Sequence, residues 1–188
     1  MFNNNDNFDE IISILNDGKI ILYPTDTIWG IGCDSMNTES AKRINKIRKK
    51  MPEAAMILLV SDLEMLKTYV KEIHPRIETL LAYHERPLTV LYKAKKNVPD
   101  IYVENNKVAI RIVKETSISL LIKKFGRPIV GATACIEGED FPRNFQEINA
   151  SIKSDVDYIF NLKTDVTETG EPSVIASFSK NGKLKFLR

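Results

Sequence analysis

The stretch Ile21-Leu22-Tyr23-Pro24-Thr25-Asp26-Thr27-Ile28-Trp29-Gly30-Ile31-Gly32-Cys33-Asp34 decides the fold. It opens on an apolar run that favours a buried strand. Pro24 has no backbone N–H and pushes Tyr23 toward extended geometry, so the strand stops there and a loop begins. That loop gathers the hydroxyls of Thr25 and Thr27, the carboxylate of Asp26 and the flat ring of Trp29, a set suited to a polar small molecule. Gly30 and Gly32 permit backbone geometry or close ligand approach that a side chain would block. Thr and Asp also make turns that bond their own backbone, and single residues of these types do not separate the two readings.

Working outward, Asp6 or Asn7 caps a helix in which Phe8, Ile11, Ile12 and Leu15 share a face, and Gly18 lies just past its end. Lys19-Tyr23 is the strand that follows. Asn37 or Thr38 starts a second helix running to about Lys49. Met56-Val60 reads as a core strand, and Ser61-Asp62-Leu63-Glu64 has capping-box spacing for the next helix. His74-Pro75 begins another helix, since proline fits a first turn. Leu88-Tyr92 and Val108-Val113 read as strands, Ser117-Phe125 as a helix ended by Gly126, and Pro128-Ala132 as a strand. Phe141-Lys153 has a short amphipathic pattern, and Tyr158-Leu162 is extended. Thr164-Pro172 is polar. Val174-Phe178 and Lys183-Leu187 form a hairpin through Asn181-Gly182. Strands and helices mix without strict βαβ alternation, which points to an α/β fold with a twisted mixed sheet rather than a doubly wound one.

At 188 residues with 43% hydrophobic content, the chain suits one well-buried core, so a single domain over 1-188 is expected. Its apolar runs fall far short of the ~20 residues that span a bilayer. The Met1-Asp6 start lacks the basic and apolar parts of a signal peptide, so no membrane partner and a cytoplasmic location are expected. Cys33 and Cys135 form no CxxC pair, and no histidines cluster beside them; both are expected to be thiols and no metal site is expected. A net charge of +2 does not demand a nucleic-acid partner. Lys42, Arg43, Lys46, Arg48, Lys49 and Lys50 nevertheless form a basic block that is either a solvated helix face or a contact for an anionic ligand or RNA.

Pro24-Thr25-Asp26-Thr27-Ile28-Trp29-Gly30-Ile31-Gly32 resembles the PT(D/E)T(V/I)(Y/W)G(L/I)G motif of the YrdC-like family, the threonylcarbamoyl-AMP synthases. Further matches follow in the family's order. Arg48 and Lys50 fall on the family's Lys-x-Arg pair, with Ala54 where a further Lys stands. Pro87-Leu88-Thr89 keeps the end of the WPGPLT motif, in a place that looks structural. Lys107-Ile112 resembles the V-G-(V/I)-R-(V/I) strand, whose arginine is here Arg111. Gly131-Gly138 occupies the place of the Ser-Ala-Asn loop, with Thr133 for the Ser and Cys135 for the Asn. Pro172-Ser173-Val174-Ile175 resembles P-S-T-(I/V), and Arg188 matches a terminal arginine.

The resemblance implies a YrdC-like sheet with flanking helices around a concave basic cavity. It also implies ATP-dependent synthesis of threonylcarbamoyl-AMP from L-threonine and bicarbonate, with release of pyrophosphate, for the t6A modification of tRNA. On it, Thr27, Trp29, Arg111 and Ser173 attend threonine, and Arg48, Lys50, Thr133, Cys135 and Arg188 attend the nucleotide, with Arg48 and Lys50 supplying the catalytic charge. Mg²⁺ would accompany ATP. Expected partners are the three substrates, tRNA or double-stranded RNA, and tRNA-modification proteins. The alternative is a degenerate paralogue that binds nucleotide or RNA, because the changes to Ala54, Cys135 and Val174 all fall at expected site positions.

Overall fold

A computed structural model describes residues 7–49, 56–84, 86–114, 117–161, 172–178 and 183–187. Helix α1 (Phe8–Asn16) is capped by Asn7, whose side chain accepts from the Asp9 N–H, and it buries Ile11 and Leu15. Gly18 follows at φ 71°, the left-handed geometry that ends a helix cheaply only in glycine. Strand β1 (Ile21–Tyr23) then runs to Pro24. Strand β2 (Gly30–Gly32) pairs antiparallel with it, Ile21 opposite Gly32 and Tyr23 opposite Gly30.

The sequence reading placed this glycine segment in a site loop; it is a core strand. A Cβ on Gly30 would lie 2.8 Å from the Tyr23 ring, and one on Gly32 would lie 2.1 Å from the Val130 carbonyl oxygen. Those glycines therefore admit a tyrosine and a neighbouring strand. Tyr23 uses the space to donate its hydroxyl to that same Val130 carbonyl at 3.0 Å.

Helix α2 (Thr38–Ile47) is capped by Asn37, and strand β3 (Ile57–Val60) follows. Helix α3 (Leu63–Tyr69) has Asp62 as its cap, accepting from the Met65 N–H at 2.8 Å. The expected capping box at Ser61 is displaced by one residue: Asp62 reaches the free N–H, and the Ser61 hydroxyl donates to its carboxylate at 2.9 Å. Helix α4 (Pro75–Tyr83) starts at His74-Pro75, as the sequence predicts. Strand β4 (Leu88–Lys93), a short 3-10 turn (Asp100–Tyr102), β5 (Val103–Glu104) and β6 (Lys107–Ile112) come next. Helix α5 (Ser117–Phe125), β7 (Ile129–Thr133), α6 (Ala150–Asp155), β8 (Tyr158–Ile159), β9 (Val174–Phe178) and β10 (Leu184–Phe186) complete the described elements.

Of the amphipathic segment Phe141-Lys153, only α6 is helical. Glu147 and Asn144 bond each other's side chains and nearby backbone, which holds the preceding residues in turns.

The sheet runs β10-β9-β4-β6-β3-β7-β2-β1-β8, with β5 paired to β6. β1–β8, β3–β6 and β4–β9 are parallel and the remaining pairs antiparallel, so the sheet is mixed as expected. Because side chains alternate across a strand, residue parity sorts the two faces. Leu22, Leu58, Val60, Val90, Ile110 and Val130 pack with Ile44 of α2, Leu66 of α3 and Ile152 of α6. Ile21, Tyr23, Leu59 and Ile129 point the other way, toward Ile11 of α1 and Leu121 of α5. Helices α1 and α5 cover only part of that second face. The uncovered part is the floor of a cavity.

Candidate functional site

The cavity holds about 490 Å³, within the usual range for small-molecule sites. Strands β3, β6, β7 and β9 contribute Ile57 and Leu59, Ala109 and Arg111, Gly131 and Thr133, and Ile175 with Ser173 just before it, while β1, β2 and β4 add Tyr23, Gly30 and Leu91. The loop between β1 and β2 adds Thr25, Thr27 and Trp29, while Arg48 comes from the end of α2. Among the described residues, the lining side chains include two guanidiniums and no carboxylate.

Arg111 is 4% exposed, in a strand whose residues from Val108 to Ile112 are otherwise apolar. Its Nη1 donates to Thr27 Oγ1 at 3.1 Å, and its Nη2 donates to Asp26 Oδ1 in an ion pair. Burial draws its pKa down to about 10, which still leaves it charged at neutral pH.

The hydroxyls around Arg111 have a fixed sense. Arginine only donates, so Thr27 Oγ1 accepts from it. Thr25 gives its single hydroxyl hydrogen to the Ile28 carbonyl at 2.8 Å, so across the 2.7 Å contact Thr27 must donate to Thr25. The Thr27 N–H also donates to Thr25 Oγ1, at 3.0 Å. A directional chain therefore runs from Arg111 through Thr27 and Thr25 to a main-chain carbonyl, and it pins the loop to the sheet.

Ser173 is buried, and its hydroxyl lies 2.8 Å from that of Thr89, itself fully buried. The structural reading of Pro87-Leu88-Thr89 thus gains content: Thr89 fixes the Ser173 rotor at the cavity wall. Trp29 is 5% exposed and packs its ring against Phe145 at 5.1 Å and 51°. Lys153 Nζ stands over the Phe145 ring, 4.9 Å from its centre.

Arg48 is drawn inward rather than left on a solvated helix end. It is the C-cap of α2, and Lys49 takes φ 52°, which turns the chain sharply. The Arg48 side chain is 6% exposed, its Nε is buried without a hydrogen-bond partner, and burial lowers its pKa, opposed by nearby Cys135 and Glu137. An unsatisfied buried guanidinium donor beside a cavity is a natural receptor for an anion.

Two other members of the basic block pair with acids, one three residues away in the same helix and one far along the chain. Lys42 pairs with Glu39 at 2.7 Å, and Arg43 with Asp157 at 2.6 Å.

Thr133 lines the cavity as expected. Cys135 does not. Its thiol faces the Ile136 carbonyl at 3.0 Å and the Glu139 carbonyl at 3.4 Å, because the chain leaves β7 at Thr133 and turns. Lys50, Ala54 and Arg188 lie outside the described residues. Sequence reasoning missed Tyr23, Leu59, Leu91, Ala109 and Ile175 as lining groups. Their signal was parity: once Arg111 is assigned to the cavity, every second residue of the paired strands goes with it.

Fold and cavity together define a mixed α/β protein that presents a cationic pocket on one face of its sheet. The chain belongs to the Sua5/YciO/YrdC family, whose model, described as "Telomere recombination", matches residues 13–188. The threonylcarbamoyl-AMP synthase of Pseudoalteromonas translucida is 24% identical over 177 residues, covering 92% of this chain and 93% of that protein. Among solved structures, P. abyssi Sua5 complexed with L-threonine superposes with a TM-score of 0.82 at 23% identity, covering 96% of this chain. The chain spans about half, 53%, of that Sua5 chain. YciO of E. coli superposes at a TM-score of 0.78 with 20% identity, over 98% of this chain and 91% of that one. These likenesses establish the twisted mixed sheet with flanking helices as the family's fold. Among the described residues, no helix is long and apolar enough to cross a membrane.

Proposed function

We propose that this chain is an L-threonylcarbamoyladenylate synthase: it condenses L-threonine, bicarbonate and ATP into threonylcarbamoyl-AMP and pyrophosphate for the t6A modification of tRNA. The observation that carries the reading is the pair of buried guanidiniums in one cavity, Arg111 on a hydroxyl-lined floor and Arg48 with an unsatisfied Nε. Two separate cation sites suit a substrate carboxylate and a nucleotide phosphate held side by side. The names of relatives that share the family support the same assignment.

In this reading the threonine carboxylate sits on Arg111, with Thr27 and Ser173 as polar neighbours and Trp29 as a wall. Arg48, Lys50, Thr133 and Arg188 attend the phosphates. The threonine amine takes up bicarbonate with loss of water, giving a carbamate. A carbamate oxygen then bonds to the α-phosphorus of ATP, the bond from that phosphorus to the bridging oxygen breaks, and pyrophosphate leaves. No protein nucleophile is required, because holding the reactants in line and stabilising phosphoryl charge lower the barrier. Mg²⁺ would accompany ATP and would supply charge neutralisation at its phosphates beside Arg48. The product would pass in the cytoplasm to tRNA and tRNA-modification proteins.

A second reading, a degenerate paralogue that binds nucleotide or RNA without turnover, draws on Cys135. The thiol that replaces an amide in the resembled motif contacts backbone carbonyls and is not among the residues lining the cavity.

Pyrophosphate release is measured with ATP, Mg²⁺ and bicarbonate, with and without L-threonine, and the adenylate is followed by chromatography. Threonine-dependent release that disappears in Arg111→Ala is the expected result. ATP binding without turnover would overturn the synthase reading in favour of the second.

A further inference from the structure

The position of Asp26 is not explained by the chemistry above. Its carboxylate pairs with Nη2 of Arg111, the guanidinium on which the proposed substrate carboxylate has to bind. On a guanidinium, Nε–H and the Nη2 hydrogen beside it form a two-pronged edge that matches the two oxygens of a carboxylate. Asp26 takes one prong, and Nε is buried with no partner. Nη1 is held independently by Thr27.

The two anchoring residues also differ in freedom. Thr27 is 2% exposed and locked by Thr25, whereas the Asp26 side chain is 25% exposed and reaches water. Two carboxylates on one buried guanidinium repel each other. When a ligand carboxylate arrives, the exposed partner is the one able to leave.

We propose that Asp26 is the resident counter-ion of Arg111: it neutralises the buried guanidinium in the empty cavity and is exchanged for the carboxylate of the incoming substrate. Asp26 thereby becomes a specificity-determining residue. A ligand with two carboxylate oxygens gains both prongs and displaces it; a neutral isostere gains nothing that offsets breaking the ion pair. This inference rests on the assignment of Arg111 as the carboxylate receptor.

The test compares L-threonine with L-threoninol, which lacks the carboxylate, on the unaltered protein, Asp26→Asn, Asp26→Ala and Arg111→Ala. Trp29, the sole tryptophan and a wall of the cavity, provides a fluorescence readout, and calorimetry provides a second. Replacing a charged competitor by a neutral one is expected to tighten L-threonine binding about tenfold in Asp26→Asn, with L-threoninol changed less than about twofold. Both variants should melt lower than the unaltered protein when empty and recover with saturating L-threonine. A purely structural role for Asp26 would shift both ligands alike.

L-Threonine binding that weakens or stays constant in both Asp26 variants overturns the exchange. So does an equal shift for the two ligands. If L-threonine binds the unaltered protein and is lost in Arg111→Ala, such a result removes this inference alone and leaves the function standing. Failure of the unaltered protein to bind L-threonine removes both.

Discussion

Replacing Thr27 by Val keeps the shape of the side chain and deletes one oxygen from the chain Arg111, Thr27, Thr25, Ile28 carbonyl. Thr25 survives the change, because its hydrogen goes to Ile28 and its oxygen still accepts the Thr27 N–H. Arg111 Nη1 does not, since it loses its acceptor in a site 4% exposed. One buried donor on a charged group left unpaired costs about 2 kcal/mol. For a chain of this size that lowers Tm by about 4–8 °C. The assay is urea unfolding of a double-mutant cycle with Arg111→Met, a change that removes the donor and keeps an apolar stem. Thr27→Val should cost about 2 kcal/mol alone and well under about 1 kcal/mol in the Arg111→Met background, a coupling that only direct contact produces. Equal costs in both backgrounds would refute the directional chain.

Three further outcomes follow from the same geometry. Gly32→Ala, whose Cβ would meet the Val130 carbonyl oxygen at 2.1 Å, should destabilise by about 3 kcal/mol in thermal melts, since backbone cannot yield as a side chain can. Arg48→Met should weaken ATP binding by about tenfold while leaving L-threonine affinity within about twofold in calorimetry, because an unsatisfied buried cation contributes to anion binding more than to folding. For Asp157, burial raises the pKa but is outweighed by hydrogen bonds from Arg43 and the Ile20 N–H, so the net shift is downward. The stability it supplies is complete above its unfolded pKa of about 4 and is lost as pH falls through the lowered folded value. Asp157→Asn should therefore flatten the acid limb of a Tm-versus-pH profile and leave its slope above about pH 5 unchanged.

Local chemistry made much of this legible from the chain. Asn7, Asn37 and His74-Pro75 start helices, and Gly126 ends one, because caps and breakers act within a few residues. Pro24 ends β1 for the same reason. What stayed hidden depends on partners far along the chain. The glycines of β2 are explained by Tyr23 and Val130, and the pairing of Arg43 is seen only with Asp157 beside it. Arg48 reads as a surface residue until Lys49 turns the chain beneath it. Asp26 sits in the motif that marked the site, yet its bond to Arg111 spans 85 positions and no spacing rule reaches that far.

The order of the strands bears on how the chain behaves while it is being made. β4 waits as a sheet edge until β9, which pairs with it in parallel along Leu88-Leu91, has been synthesised. Ser173 and Ile175 arrive with that strand, after Arg111, Thr27 and Arg48 are already in the chain. A nascent chain carrying everything up to β8 therefore has its cationic floor but lacks one wall, and its open β4 edge is a template for pairing with other chains. Binding competence and protection against misassociation come from the same late strand.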